Sequence, residues 1–243
     1  MKQSLFQITE NVKLNDNVMK MRLSGDTSEI TAPGQFVNIK LDGLFLRRPI
    51  SVNDYDDTSV TIIYKIVGKG TEQLSKMQSG ELDVLTGLGN GYNTELSGEK
   101  PLLIGGGVGV PPLYNLAKKL ISEGKNVSVI LGFNTKDEIF YEEEFKSLGC
   151  EVGVTTVDGS YGTKGFVTAL MDREYTYTFC CGPEPMLKAV FSASATSGQY
   201  SFEERMGCGF GACMGCSCKT VTGYKRICKE GPVLQKEEIL WEK

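Results

Sequence analysis

Hydrophobic and polar positions alternate in short runs over residues 1–99 of the chain. The segments typical of strands, rich in β-branched residues and bounded by Gly, Asn and Asp, are VMKMRLSG, GQFVNIKL, SVTIIYKIV and LDVLTGLG. Pro33-Gly34 and Asp56-Asp57 have the composition of turns between such strands. Residues 1–99 are therefore predicted to form an antiparallel β-barrel of about six strands.

The pattern changes at Lys100, where apolar runs of strand length begin to alternate with longer amphipathic runs. The strands are PLLIGGG, NVSVILGF, CEVGVTT and YTYTFCCG, and the helices are PPLYNLAKKLISEG, DEIFYEEEFKSLG and EPMLKAVFSA, with a further short helix opening at 164–167. This alternation predicts an α/β domain with a doubly wound parallel sheet over residues 100–199. The remaining residues, 200–243, are rich in Cys and Gly and are predicted to form a small third lobe.

Five of the eight cysteines fall between Glu203 and Pro232. Four of them have the spacing C-x4-C-x2-C-x11-C, which is the plant-type ligand pattern of a [2Fe–2S] cluster. These candidate metal ligands are Cys208, Cys213, Cys216 and Cys228. Glycines between them remove Cβ atoms, so that backbone N–H groups can approach the charged sulfurs.

Three other interpretations of these cysteines stay open. Structural zinc also takes four thiolates, although zinc ribbons usually carry two well-separated C-x2-C knuckles, and this stretch has one close triad and one distant cysteine. Disulfides require an oxidising compartment, for which the sequence has no targeting signal. Buried free thiols rarely crowd at this density. The spacing favours the iron–sulfur cluster.

A hairpin is expected to return the distant cysteine to the triad. Thr222-Gly223 has the composition of a two-residue turn between KTV and YKRI, which would place Ser217 opposite Cys228. Directly opposed residues share a face and neighbours alternate, so Cys218 should point away from the cluster.

The composition restricts the possible partners and location. The net charge of −4 over 243 residues gives no broad basic surface, so nucleic acid is not expected as a partner. The start, MKQSLFQITE, lacks the apolar core of a signal peptide. The longest uncharged run, 101–117, contains four glycines and three prolines and does not predict a membrane span. These features predict a cytoplasmic protein with reduced thiols and no membrane association.

The sequence contains no histidine. A Ser-His-Asp triad, a Rieske-type cluster and histidine-ligated haem or zinc are therefore excluded. Whatever chemistry takes place must be carried largely by cofactors.

Two stretches of the predicted barrel carry groups suited to a diphosphate. Arg48-Pro49-Ile50-Ser51 offers a planar guanidinium for phosphate and a hydroxyl that can meet a ring nitrogen. Gly68-Lys69-Gly70-Thr71 precedes the helical EQLSKM, and free N–H groups at a helix start favour an anion. Alternatively, the first is an ordinary exposed Arg and Ser, and the second is a strand-to-helix turn capped by Thr71. Their succession along the chain favours the diphosphate site.

The second domain has two loops at predicted strand ends. The run from Gly105 to Pro111 lies after the first strand, where parallel sheets hold a nucleotide diphosphate. Because Pro111 and Pro112 occupy the helix start, the G-x-G-x-x-G fingerprint of ordinary dehydrogenases is absent. Cys181-Gly182-Pro183 follows a later strand and should face the same crevice.

Together these features resemble the ferredoxin–NADP reductase superfamily, which joins a flavin barrel to a nicotinamide domain. Within it, RRPIS, GGGVGVPPL, CGPEPM and EERMGCGFGACMGC closely resemble the electron-transfer subunits of class 1B dihydroorotate dehydrogenases. The likeness covers essentially the whole chain and keeps the domain order. It implies an FAD barrel over 1–99, an NAD domain over 100–199 and a [2Fe–2S] lobe over 200–243.

The resemblance also assigns residues to these cofactors, and none to a catalytic role. FAD would contact Arg48, Pro49, Ile50, Ser51, Ile63, Tyr64, Lys65, Gly70 and Thr71. The nicotinamide nucleotide would face Gly105, Gly106, Gly107, Gly109, Cys181, Gly182 and Pro183. Ile50 stands where many members carry an aromatic ring on the flavin, and Cys180 is expected to be an ordinary strand residue. GFNTKDE offers Asn134 and Lys136 but no arginine to bind a 2′-phosphate, which favours NAD over NADP.

The chain has no evident site for oxidising an organic substrate, so a partner must supply electrons. The resemblance implies a route from dihydroorotate through the FMN of a catalytic subunit, then the cluster and FAD, to NAD+ in pyrimidine biosynthesis. The partner would be that FMN-containing dihydroorotate dehydrogenase subunit, in a two-plus-two heterotetramer with the cluster lobe at the interface. Alternatives are a subunit of a sulfhydrogenase or ferredoxin transhydrogenase, and a zinc-stapled adaptor without enzymatic activity.

Overall fold

The first part of the chain closes into a six-stranded antiparallel barrel in the computed structural model, which describes residues 1–241. The strands are β1 (Lys2–Lys13), β2 (Val18–Ser24), β3 (Phe36–Ile39), β4 (Arg48–Asp56), β5 (Ser59–Lys65) and β6 (Glu81–Leu88). Their order around the barrel is β1-β2-β5-β4-β3-β6, which confirms the predicted barrel.

Side-chain burial along the barrel strands follows the two-residue period of the sequence. In β2, Met19, Met21 and Leu23 are at most 3% exposed, whereas Lys20 and Arg22 point outward. Alternating side chains of a strand point to opposite faces, so the apolar set fills the barrel and the charged set meets water.

A short helix, α1 (Lys69–Ser75), packs against the barrel. Leu74 of this helix is fully buried in the barrel core. The Asn11 side chain donates from Nδ2 to the carbonyl oxygens of Leu74, at 3.0 Å, and Met77, at 2.8 Å. These bonds satisfy carbonyls at the end of the helix, where the helix itself supplies no partners.

The second part of the chain forms a parallel sheet with helices between its strands. The strands are β7 (Pro101–Gly106), β8 (Ser128–Phe133), β9 (Glu151–Thr156), β10 (Thr163–Lys164), β11 (Tyr177–Cys181) and β12 (Gly198–Ser201), in the order β10-β9-β8-β7-β11-β12. The helices are α2 (Pro111–Ser122), α3 (Glu142–Ser147) and α4 (Glu184–Ala193). The 3₁₀ turns are Thr94–Leu96, Gly107–Gly109, Lys136–Glu138, Val167–Leu170 and Lys236–Glu238. The predicted α/β domain is confirmed.

One predicted helix is shorter than its pattern indicated. The run DEIFYEEEFKSLG contains a 3₁₀ turn that ends at Glu138 and then α3, which begins at Glu142. Tyr141 between them has φ 69, in the left-handed region, so a continuous helix cannot pass through it. Its ring is 8% exposed and packs edge-on against Tyr114 and Phe140. This packing outweighs the helical period.

The cysteine-rich lobe contains a hairpin and a final strand. The hairpin is β13 (Ser217–Thr220) with β14 (Gly223–Arg226), and the final strand is β15 (Val233–Gln235). β15 pairs antiparallel with β12 and so completes a seven-stranded sheet. The boundaries at 99/100 and 199/200 stay predictions, and β12 runs across the second of them.

The predicted register of the hairpin is wrong by two residues. The turn is Val221-Thr222, Thr220 pairs with Gly223, and Ser217 lies opposite Arg226 rather than Cys228. The Thr220 hydroxyl donates to the carbonyl of Gly223 at 2.8 Å, and Thr220 also bridges to Ile239. Because Thr220 is 3% exposed between these partners, it fixes the last pair of the ladder.

Polar contacts join the barrel to the sheet domain. Asp54 of β4 accepts hydrogen bonds from Asn115 Nδ2, at 2.8 Å, and Lys118 Nζ, at 2.7 Å, both on α2. Asn53 Nδ2 donates to the Tyr141 hydroxyl at 2.9 Å. None of the helices in the described part of the chain is long and apolar enough to span a lipid bilayer.

Candidate functional site

The two diphosphate signals of the sequence lie side by side in the structure. Arg48, at the start of β4, packs against Gly70 in the first turn of α1. A Cβ at position 70 would stand 2.1 Å from Nε of Arg48, so only glycine allows this approach. The guanidinium donates from Nη1 to the carbonyl of Leu46 at 2.6 Å. A planar cation held beside N–H groups of a helix start suits a diphosphate.

Arg47, the residue before Arg48, makes its contacts within the barrel. Arg47 Nη2 binds both carboxylate oxygens of Asp83, at 2.9 and 3.0 Å, and Nη1 donates to the Asp83 carbonyl at 3.0 Å. These three charge-assisted bonds tie Arg47, just before β4, to Asp83 on β6. Of the two adjacent arginines, Arg47 stabilises the barrel and Arg48 belongs to the predicted FAD site.

Thr71 performs the capping role that the sequence analysis left open. Its hydroxyl accepts from the N–H groups of Val67, at 2.9 Å, and Gly68, at 3.3 Å, and donates to the Gly68 carbonyl at 3.1 Å. Gly68 is the N-cap and Thr71 is the third residue of the first turn. The contact of Thr71 with FAD stays a prediction. Because the hydroxyl is used in the cap, the main chain of Thr71 is the donor available to FAD.

The flavin-facing stretches of β4 and β5 lie where the two strands part. The described pairing of β4 with β5 ends at Val52 and Ile62, next to the two predicted segments Arg48–Ser51 and Ile63–Lys65. Main-chain groups of both segments therefore line the same opening. These groups can hydrogen-bond the polar edge of a flavin, as every unpaired strand edge presents donors and acceptors.

The side chains of Ile50, Ile63 and Tyr64 are buried in the protein core. Ile50 and Tyr64 belong to the barrel core, and the Tyr64 hydroxyl donates to Asn11 Oδ1 at 3.1 Å. Burial raises the pKa of Tyr64 to about 12. Any contribution of Tyr64 to the predicted flavin site would therefore come from its main chain.

The two glycine loops of the sheet domain meet at the carboxyl ends of neighbouring strands. Gly105 on β7 pairs with Cys181 on β11. A Cβ at Gly109 would lie 2.3 Å from the carbonyl oxygen of Cys181 and 2.6 Å from Cα of Gly182. The main chains of both loops are therefore in direct contact, which brings the predicted nicotinamide residues together at one edge of the sheet.

Cys180 and Cys181 differ in their surroundings but are both protonated at neutral pH. Burial raises the pKa of Cys181 to about 12, partly offset by a hydrogen bond with Ser201. Cys180 is fully buried on β11, and burial raises its pKa well above the ordinary range. Since the thiolate is the reactive form of cysteine, neither is an activated nucleophile.

The end of β8 carries an acidic group that the sequence analysis did not single out. Glu138 Oε2 accepts from the Asn134 main-chain N–H, at 3.0 Å, and from Asn134 Nδ2, at 2.9 Å. A carboxylate near the end of the second strand can accept the ribose 2′-hydroxyl of NAD and repels a 2′-phosphate. The acidic residue was visible in GFNTKDE, but only the fold places it at the strand end.

The four candidate metal ligands are arranged as two pairs. The Cys208 N–H points to Sγ of Cys213 at 3.5 Å, and the Cys228 N–H donates to Sγ of Cys216 at 3.4 Å. The Ala212 N–H also donates to Sγ of Cys208, at 3.2 Å. Hydrogen bonds from backbone N–H groups stabilise negative charge on sulfur, which is what a cluster ligand carries.

Cys208 and Cys228, one cysteine from each pair, have pKa values shifted in opposite directions. Burial tends to raise the pKa of Cys208, but N–H groups of Phe210, Cys213 and Ala212 outweigh it and lower the pKa to about 6. Burial raises the pKa of Cys228 to about 12, and the nearby Cys216 adds to this shift. Cys208 is therefore available to bind metal as thiolate, whereas Cys228 must lose its proton when metal binds.

The two thiol pairs match the ligand number of a [2Fe–2S] cluster, which takes four cysteines, two to each iron. A tetrahedral zinc site would instead need four donors around one point.

Cys218 lies at a different surface of the lobe. It lines a surface cleft with Pro183, Phe202 and Trp241, and none of the four candidate ligands lines that cleft. The expected orientation of Cys218 away from the ligands agrees with this position, even though the register that suggested it was wrong.

Sequence reasoning missed the residues that hold the cysteine loop in place. Arg226 donates from Nη1 to the carbonyl of Gly211 at 2.6 Å and from Nε to Glu230 Oε2 at 3.0 Å. Asn38 of β3 donates to the carbonyl of Cys208 at 3.2 Å. Arg226 lies two residues before Cys228, so its position next to a candidate ligand could have pointed to its role. Nothing in the sequence marks Asn38.

The fold and the cysteine pairs define a class: NAD-linked flavin reductases of the ferredoxin–NADP reductase type that also carry an iron–sulfur cluster. Residues 203–240 match the iron–sulfur cluster binding domain of dihydroorotate dehydrogenase B, and residues 103–191 match the oxidoreductase NAD-binding domain. A solved structure of an NADH-dependent reduced ferredoxin–NADP oxidoreductase has a TM-score of 0.88 and 32% identity, covering 98% of this chain and 90% of that chain.

Curated relatives identify the family within this class. The chain is 46% identical over 250 residues to the dihydroorotate dehydrogenase B (NAD(+)) electron transfer subunit of Fusobacterium nucleatum, with 96% of both chains covered. It is 43% identical over 256 residues to the protein of that name from a Geobacillus species, with 99% of both covered. The chain belongs to the family of dihydroorotate dehydrogenase B electron transfer subunits. Its cofactors are FAD, a [2Fe–2S] cluster and NAD, as expected.

Proposed function

We propose that this chain carries electrons from an FMN-containing dihydroorotate dehydrogenase catalytic subunit to NAD+ in pyrimidine biosynthesis. The proposal includes a two-plus-two heterotetramer in the cytoplasm, where the cluster cysteines stay reduced. The observation that carries it is the direct contact of the cysteine loop with β3, the strand beside the FAD motif Arg48–Ser51. One chain thus joins a one-electron site to a flavin site and a nicotinamide site.

The residues of the chain bind and orient the groups rather than react themselves. When bound, FAD exchanges hydride with nicotinamide and single electrons with the cluster. Arg48 and the turn at Gly70 would hold the diphosphate of FAD, and main-chain groups at the opening between β4 and β5 would bind the flavin ring. The contact of Gly109 with Cys181 would form the base of the nicotinamide site, and Cys208, Cys213, Cys216 and Cys228 would hold the cluster.

The alternative partner class is supported less well. The ferredoxin–NADP oxidoreductase structure is 32% identical to the chain, whereas the curated dihydroorotate dehydrogenase relatives reach 46%. The redox subunit that co-purifies with the tagged chain from its native cell separates the two functions. An FMN protein that oxidises dihydroorotate supports the proposal, and a ferredoxin-linked or sulfur-reducing subunit contradicts it.

The purified chain alone, loaded with FAD and cluster, is expected to oxidise NADH with an artificial acceptor but not to oxidise dihydroorotate. The physical reason is that the sequence contains no histidine, the most common general base, and the proposal assigns dihydroorotate oxidation to the FMN of the partner subunit. Steady-state assays with ferricyanide and with dihydroorotate check this. Turnover of dihydroorotate by the chain alone would contradict the proposal that the partner subunit oxidises dihydroorotate.

Neutralising Glu138 is expected to relax the preference for NADH over NADPH. In Glu138→Gln, Asn134 keeps a partner, but the negative charge that repels a 2′-phosphate is gone. We expect kcat/KM for NADPH to rise about tenfold, which corresponds to about 1.4 kcal/mol, while kcat/KM for NADH changes little. The matched control is Glu142→Gln, on the neighbouring α3. An unchanged NADPH rate in Glu138→Gln would place the ribose elsewhere.

A further inference from the structure

Asn38 is a polar side chain on the face of the barrel that the cysteine lobe covers. Phe36, two residues before it on β3, belongs to the same core cluster as Leu85, Cys216 and Cys228. Val37 and Ile39 instead belong to the barrel core, as the two-residue period requires. Asn38 is 1% exposed and therefore lies at the buried contact between the barrel and the cysteine lobe.

The Asn38 amide contacts the main chain of the cysteine loop directly. Nδ2 donates to the carbonyl oxygen of Cys208 at 3.2 Å. The next residue, Gly209, has φ +79, and a Cβ there would stand 2.3 Å from Nδ2 of Asn38. Oδ1 of Asn38 is buried with no hydrogen-bond partner among the described residues. A buried amide whose carbonyl oxygen has no hydrogen-bond partner is unfavourable for folding, so barrel packing alone would favour an apolar side chain here.

The same residue is joined to the predicted FAD motif through the backbone. Asn38 lies directly opposite Pro49 in the ladder of β3 and β4. Nη1 of Arg47 also donates to the Asn38 carbonyl, at 3.3 Å. Asn38 is thus hydrogen-bonded through its side chain to the peptide of Cys208 and paired through its main chain with the strand that carries Arg48–Ser51.

We propose that Asn38 is a positioning residue that fixes the cluster relative to FAD, and so sets the rate at which single electrons pass between them. The inference rests on the proposed function, because it requires that the cluster and FAD exchange electrons. It acts through the Cys208 peptide, and Asn38 itself touches neither substrate nor the reacting atoms. The bond also orients a ligand peptide, which makes the spectrum of the cluster sensitive to it.

The test uses the full chain loaded with FAD and cluster, mixed rapidly with NADH. Asn38→Leu keeps the approximate volume and removes the donor. We expect flavin bleaching by NADH to keep the wild-type rate, whereas reduction of the cluster, followed by freeze-quench EPR, slows about tenfold because the cluster is no longer held in a fixed position relative to FAD. The EPR spectrum of the reduced cluster should also shift. Gly209→Ala, which pushes the loop off Asn38, should give the same pattern.

Asn53→Leu is the matched control. Asn53 is also 1% exposed, donates from Nδ2 to one partner, the Tyr141 hydroxyl, and has an unpartnered buried Oδ1. It lies at the contact with the sheet domain, so its loss should leave the cluster spectrum and cluster reduction unchanged. Iron loss in Asn38→Leu with FAD retained, and not in Asn53→Leu, also supports the proposal.

Two results would overturn the proposal. Wild-type cluster kinetics and EPR in Asn38→Leu would show that the amide positions nothing. Equal slowing of cluster reduction in Asn53→Leu would show that the effect comes from a general loss of stability. If NADH fails to reduce the cluster even in the wild-type chain, the proposed function itself is wrong, and this outcome is distinct from the other two.

Discussion

Replacing Cys228 with serine is expected to remove the iron–sulfur absorption while leaving the flavin spectrum in place. Cys228 is 2% exposed and its N–H donates to Sγ of Cys216, so it completes the buried ligand pair. A serine hydroxyl at this position is a poor ligand for iron compared with thiolate. The FAD motif on β4 belongs to the barrel, whose core does not include Cys228. Visible spectra with iron, sulfide and flavin analysis measure the outcome.

Cys218→Ser is the matched control for this experiment. Cys218 lies in the same lobe, ten positions before Cys228 in the sequence, but lines the cleft with Trp241 and Phe202. We expect this variant to keep iron, sulfide and the visible spectrum of the wild type. Loss of the cluster in Cys218→Ser together with its retention in Cys228→Ser would exchange the roles of the two cysteines.

Gly109→Ala is expected to lower the rate of flavin reduction by NADH about a hundredfold. The added Cβ would stand 2.3 Å from the Cys181 carbonyl, so the two nicotinamide loops must move apart. A displacement of about 1 Å in a hydride-transfer site can cost a factor on the order of a hundred, because the reacting atoms lose alignment. Single-turnover mixing of NADH with the FAD-loaded chain, followed by flavin absorbance, gives the rate.

Gly124→Asn controls for the loss of a glycine in the same domain. Gly124 follows α2, has φ +79, and has open space where a Cβ would be. Asparagine tolerates this conformation, so the variant should reduce its flavin at the wild-type rate. If Gly109→Ala also kept that rate, the contact between the loops would have no part in hydride transfer.

Much of the fold could be predicted because its signals are local. The two-residue period of VMKMRLSG and the run EPMLKAVFSA correspond to β2 and α4 with little change. The α3 and hairpin predictions failed for a different reason. Tyr141 and Thr220 take their conformations from packing partners distant in sequence, and such partners leave no periodic signal.

The site shows the same division between local and long-range information. The spacing of the cysteines predicts the ligand set, but not that the sulfurs stand in two pairs. The bond from Asn38 to Cys208 joins residues 170 positions apart, and an asparagine in a strand has no distinguishing pattern of its own. Glu138 was present in the sequence, yet its bonds to Asn134 depend on a turn that the predicted helix did not contain.

The pairing of β12 with β15 bears on how this protein could have been assembled in evolution. Ser201 and Val233 face each other directly in that ladder, so residues 202–232 leave and re-enter the sheet at one point. A segment with such closely spaced ends can be exchanged as a cassette, because any replacement of suitable length meets the same two anchors. Exchange of this insert would keep the strand order of the barrel and the sheet, and a new insert would have to fit the barrel face around Asn38.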